Sequence, residues 1–135
     1  MGTYLNPGNS AFARALTQKY IDKTSLISVI NGTINTAKNL TCISRPRRFG
    51  KSYAAQMLCA YYDRTVDSHE MFAPWKISSL PGYEEHINKY NVIYLDMAGI
   101  KSFCDNYRTL VPYVKERITL ELSLSNEQIR IDTDF

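Results

Sequence analysis

The sequence predicts an α/β domain with a parallel sheet of few strands and flanking helices. Two short runs, residues 40–44 (LTCIS) and 91–97 (NVIYLDM), are apolar and β-branched in the manner of buried strands. Segments with helical spacing lie before, between and after them. The order helix, strand, loop, helix, strand, helix is that of a parallel sheet. Two strands are few for a sheet. With 135 residues the chain is read as one domain, large enough to bury a core.

The elements follow in order. Residues 6–9 (NPGN) read as a turn, and residues 10–18 carry Ala11, Phe12, Ala15 and Leu16 at helical spacing. Asp22 and Thr24 are the two candidate caps of a second helix running to about Ile34, with Asn31-Gly32 as a stop signal inside it. The first strand candidate comes next, then a basic turn. Residues 52–62 are the best helix, with Ala54, Leu58, Tyr61 and Tyr62 on one face. Pro74, Pro81 and Gly82 break the following stretch, and residues 83–90 (YEEHINKY) read as a short helix. After the second strand candidate, a long helix is expected over residues 107–124, with Pro112 marking its first turn or a kink.

The 16 basic and 13 acidic residues give a net charge of +3, but Arg45, Arg47, Arg48 and Lys51 are concentrated in one turn. The remaining 12 basic residues against 13 acidic ones leave no general basic coat. That disfavours a wholesale nucleic-acid or membrane-surface binder. The cysteines Cys42, Cys59 and Cys104 are an odd number without ligand spacing, each in or beside an apolar stretch, as suits a reducing compartment. No secretory signal is read near the start, and no run approaches the roughly 18 apolar residues of a membrane span. A cytoplasmic location is the expectation.

The basic turn is the most informative segment. Between the first strand candidate and the best helix stand Arg45, Pro46, Arg47, Arg48 and Phe49, followed by Gly50, Lys51 and Ser52. A phosphate-binding loop aims successive backbone N–H groups and a helix N-terminus into one concavity. Gly lets the backbone approach phosphate, Lys reaches the β- and γ-oxygens, and Ser or Thr ligates Mg²⁺. Gly50, Lys51 and Ser52 fill these roles in order, whereas the first Gly of the full motif is replaced by Arg45. The tripeptide alone would recur by chance in roughly one in fifteen chains of this length; its placement between strand and helix carries the reading. The bland alternative is a solvated basic turn, or one that contacts nucleic acid by charge alone. Arg47 and Arg48 are also suited to phosphate oxygens, which guanidinium pairs bidentately.

At RPRRFGKS the chain resembles the bacterial AAA-ATPase-like family, whose members carry a Tyr-Val/Ile-Asp-Lys-Thr element ahead of such a loop. The corresponding element here is residues 20–24 (YIDKT), and residues 88–97 (NKYNVIYLDM) are similar to the family's next strand. The family usually has Arg in place of the first loop Gly. The resemblance implies a partial P-loop NTPase three-layer fold that binds ATP and Mg²⁺, with Gly50, Lys51 and Ser52 on the phosphates and metal. It places Tyr20, Ile21 and Asp22 near the adenine and ribose. Longer relatives continue into an acidic Walker B strand, a helical lid and often a nuclease-like region. These are not found before Phe135, so the expectation is an N-terminal portion, truncated before Walker B, with ATPase activity implied by resemblance and no catalytic residue assigned.

Asp96, at the end of VIYLD, is the internal candidate for a metal carboxylate; it lacks a following Glu, and the other reading is a strand-end Asp that caps a turn. His69 and His86 lack ligand spacing, and Glu84-Glu85 read as a solvated face. Cys104-Asp105 has no His nearby in sequence. Tyr61, Tyr62, Phe72 and Trp75 could stack a base but fit core packing better. Two further function classes stay open. One is an interaction fragment whose apolar faces dimerise or dock on a complementing chain; the other is nucleic-acid binding through Arg45, Arg47 and Arg48.

Overall fold

The computed structural model describes residues 2–125. It divides into two compact units: one is residues 8–92, and the other joins residues 2–7 to residues 93–125.

The larger unit contains α1 (Ser10–Leu16), α2 (Ser25–Asn31), α3 (Lys51–Tyr62), α4 (His69–Phe72), a 3₁₀ turn (Lys76–Ser79) and α5 (Tyr83–His86). Its core is the apolar face of these short helices: Phe12 and Ala15 of α1, Ile27 of α2, Met57, Ala60 and Tyr61 of α3, and Phe72 and Ile77 beyond. The rings of Phe12 and Phe72 stack at 5.3 Å, and Tyr61 meets Phe72 edge-on at 5.6 Å. Tyr61 and Phe72, weighed as a base-stacking platform, are fully buried core residues. The Tyr61 hydroxyl stays satisfied inside, donating to the Tyr83 carbonyl at 2.8 Å and accepting from the Asn31 amide at 3.1 Å. That pairing removes the penalty of burying a phenol.

No sheet is present among the described residues. Strand pairing is limited to two isolated bridges, Leu5 with Ile93 and Asp63 with Tyr90. The fold is mostly helical, and the expected three-layer α/β fold with a parallel sheet is overturned. Residues 40–44 do not form the predicted buried strand. They are exposed throughout, with Leu40 at 95% and Cys42 also in solvent. Residues 91–97 enter one antiparallel bridge at Ile93, and Met97 begins a helix. Strand propensity measures how well a residue fits a pleated, half-buried surface, so it yields a strand only where a neighbour supplies that surface. Thr41 and Ile43 have no such neighbour among the described residues.

The helix expected over 83–90 closes early for a visible reason. Asn88 takes a left-handed φ of 54°. Its N–H donates to the Tyr61 carbonyl at 2.7 Å, and that of Tyr90 to Tyr62 at 2.9 Å, so the chain pairs along the end of α3. There the buried Asp63 accepts from the Gly8 N–H at 2.6 Å and from Thr65 N–H and hydroxyl at 2.8 and 2.7 Å.

The second unit contains α6 (Met97–Lys101) and α7 (Tyr107–Leu124). Asn106 caps α7, its side-chain oxygen accepting from Arg108 and Thr109 N–H at 2.9 and 3.2 Å. The helix begins at Tyr107 and runs through Pro112, so the proline lies inside it. Glu121 of α7 binds the N-terminal segment, accepting from the N–H groups of Thr3, Tyr4 and Leu5 at 2.9, 2.9 and 2.7 Å. Among the described residues, no helix is long and apolar enough to cross a membrane.

Candidate functional site

The basic turn leads into α3 with two left-handed residues, Arg48 at φ 67° and Gly50 at φ 77°. Gly50 is the N-cap, and its carbonyl opens the helical ladder by accepting from Ala54 N–H at 2.9 Å. It has no side chain to cap the helix, and the first turn holds no acid. The leading N–H groups of Lys51, Ser52 and Tyr53 thus keep the positive end of the helix dipole. Arg48 holds a conformation that costs an L-residue about 1–2 kcal/mol, so the turn is a constrained one.

Two lysines brace this turn. The Lys51 ammonium folds back to donate to the Arg45 carbonyl and, at 3.2 Å, to that of Pro46. Lys23, from the segment before α2, donates to the Phe49 carbonyl at 2.6 Å. Its Nζ also lies 2.7 Å from where a Cβ on Gly50 would stand. Only a glycine admits both the positive φ and this approach.

A cleft of about 900 Å³ opens beside the α3 N-terminus. That is the size range of small-molecule and cofactor sites. Five cations line it, Lys19, Lys23, Arg47, Arg48 and Lys51, with no carboxylate among the lining residues. Like charges gathered without a counter-charge oppose compaction, and a multiply charged anion relieves them. Ile21, Phe49 and Tyr53 add an apolar part to the same cleft, and each is exposed.

The residues singled out in the sequence divide as follows. Arg47, Arg48, Phe49, Gly50, Lys51, Ser52 and Tyr20 all line the cleft. Arg45 and Pro46 contribute the carbonyls that Lys51 grips. Tyr20 has its ring edge-on to Phe12 at 5.5 Å and Trp75 at 5.0 Å. Burial pushes its hydroxyl above the usual tyrosine value, with the Asp22 charge adding to the rise and the Lys23 N–H opposing it.

Asp22 does structural work beside the cleft. One oxygen accepts from the Thr24 N–H and hydroxyl at 2.8 and 2.7 Å, and the other from the Lys76 N–H at 3.1 Å. Thr24 in turn accepts from the Ile77 N–H at 3.2 Å. The pair joins the starts of α2 and the 3₁₀ turn. Asp96 belongs to the other unit and caps α6, accepting from Ala98 and Gly99 N–H at 3.1 and 3.3 Å. Among the described residues, no group of three His, Cys, Asp or Glu is placed to hold a metal.

A family model described as a predicted AAA-ATPase matches residues 9–133. The chain belongs to this AAA-ATPase-like family. No curated protein and no solved structure matches it. The AAA-ATPase-like match covers both YIDKT and RPRRFGKS, the two segments that Lys23 ties together. Lys19 and Lys23 are the cleft cations that motif reading left unassigned. The signal for Lys23 was its place inside YIDKT, but its aim toward Phe49, 26 positions on, is tertiary.

Proposed function

We propose that this AAA-ATPase-like chain binds ATP with Mg²⁺ in the cleft at the α3 N-terminus. The observation that carries the reading is five cations and an uncapped helix start converging on one cleft without a carboxylate. A triphosphate is the ligand whose charge matches that lining, since helix N–H groups and cations both favour phosphate oxygens. In this reading the N–H groups of Lys51, Ser52 and Tyr53 receive phosphate oxygens. The Lys51 ammonium has three donors, of which two serve the loop carbonyls, so one remains for phosphate.

The donor set fits the nucleotide fully and the metal through one group. Ser52 offers a hydroxyl, and Mg²⁺ readily takes its other ligands from phosphate and water. Arg47 and Arg48 line the same cleft and suit bidentate pairing with phosphate. The apolar wall of Ile21, Phe49 and Tyr53 suits a base.

Hydrolysis requires a metal-holding carboxylate and a group that orients water. The described cleft lining holds no Asp or Glu, and the function proposed for this chain is nucleotide binding. The cytoplasmic location and the contribution of a second copy or a complementing chain belong to the same proposal. Backbone amide NMR tests it. Addition of ATP–Mg²⁺ shifts Gly50, Lys51, Ser52 and Tyr53 together at low salt and leaves α7 unmoved. Shifts confined to exposed arginines, abolished by moderate salt and equally produced by oligonucleotide, would favour nucleic-acid binding instead.

A further inference from the structure

Lys23 arrives at the cleft from outside the loop motif, and its surroundings fix it there. Its own N–H donates to the Tyr20 hydroxyl at 3.4 Å, and the next residue, Thr24, is held twice by Asp22. The stem of the side chain therefore starts from a braced backbone. Its Nζ reaches over Gly50 to the Phe49 carbonyl at 2.6 Å, in the space a Cβ would need. An ammonium has three donors, and this bond uses one. Lys23 is exposed and lines the cleft beside Lys51 and Ser52.

A simple clip between two segments would be served by any neutral donor. A lysine placed over the glycine at the start of a helix instead brings a full charge to where the helix N–H groups converge. We infer that Lys23 is a second phosphate-binding lysine, which takes polyphosphate charge alongside the loop's own Lys51. This rests on the nucleotide reading above and deepens it. Lys23 thereby couples the ligand to the segment that starts α2, so selectivity for a triphosphate over a monophosphate is set partly outside the RPRRFGKS loop.

The test is calorimetric titration of ATP, ADP and AMP, each with Mg²⁺, into wild type, Lys23→Gln, Lys23→Met and Lys19→Met, with circular dichroism on each. Lys23→Gln retains a donor for the Phe49 carbonyl but removes the charge. It is expected to raise the ATP Kd about tenfold while changing that of AMP less than about twofold. Lys23→Met gives at least the same loss, and Lys19→Met, which removes one cleft charge elsewhere, gives a smaller one. A Lys23→Gln protein that binds ATP as wild type does would make Lys23 a loop clip and overturn the inference. Equal weakening of ATP and AMP, or a loss matched by Lys19→Met, would overturn it too. A folded wild type that binds no nucleotide defeats the underlying reading and this one with it; wild-type binding with an unaffected Lys23→Gln defeats this one alone.

Discussion

The Asp22 carboxylate accepts the backbone N–H of Lys76 at 3.1 Å, across 54 positions of sequence. Its other oxygen holds Thr24, so one side chain sets the start of α2 and of the 3₁₀ turn at once. Asp22→Ala leaves the Thr24 and Lys76 donors to water. Its expected cost is about 1.5–3 kcal/mol, the range for hydrogen bonds to a charged group, measured by denaturant unfolding.

The same carboxylate predicts an acid sensitivity. Burial pushes its pKa up, but the Thr24 hydroxyl and N–H, the Lys76 N–H and the Lys76 charge together outweigh that and hold it below the usual carboxylate value. A group with a depressed folded pKa contributes stability above its unfolded value, and loses it as pH falls through the folded one. The stability difference between wild type and Asp22→Asn should accordingly shrink as pH is lowered below about 4. A difference that stays constant to pH 2 would contradict the assignment.

His69 gives the opposite sign. Its Nδ1 lies 2.7 Å from Asp67 and its Nε2 3.1 Å from Glu84, tying α4 to α5. The Asp67 hydrogen bond is the largest cause raising its pKa; partial burial opposes this, and the Glu84 hydrogen bond and both carboxylate charges add to the rise. Its contribution is fully present below the ordinary histidine value and lost as pH rises through the raised one. Because the imidazole is only partly buried, salt screens the effect. The melting temperature of wild type relative to His69→Gln should fall slightly between pH 6 and 8.5, less so in high salt.

Gly50→Ala places a methyl where the Lys23 ammonium sits, at a φ of 77°. The lysine tip can swing away, so the clash is relieved by losing its bond to Phe49, whereas the backbone strain of about 1–2 kcal/mol stays. A stability loss of that size is expected, together with weaker nucleotide binding. A variant as stable as wild type would show that the loop does not need its left-handed residue.

In the second unit, Glu121 collects three successive N–H groups from Thr3, Tyr4 and Leu5. Glu121→Ala should raise the hydrogen-exchange rates of the amides of residues 3–5 at least about tenfold while leaving α3 unchanged. Unchanged exchange at these three amides would remove the clamp from the account.

What could be read from sequence was local. The long helix over residues 107–124 and the α3 helix carry their periodicity within themselves, and they are observed as Tyr107–Leu124 and Lys51–Tyr62. The strands failed because LTCIS and NVIYLDM encode a preference for a sheet surface, and only long-range pairing creates that surface. The loop cations were visible because they are contiguous. Lys23 over Gly50 and Asp22 on Lys76 were not, since each contact joins segments 26 to 54 positions apart. Asp96 shows the ambiguity of a carboxylate after an apolar run: the residue caps its own next turn, accepting from Ala98 and Gly99.

The most direct measurement is equilibrium binding of a labelled ATP analogue with Mg²⁺ to wild type and Lys51→Ala, with circular dichroism on both. Micromolar binding by wild type, weakened at least about tenfold in a folded Lys51→Ala protein, is the predicted result. A folded wild type without binding, or a Lys51→Ala protein that binds equally well, would contradict a phosphate site at the start of α3.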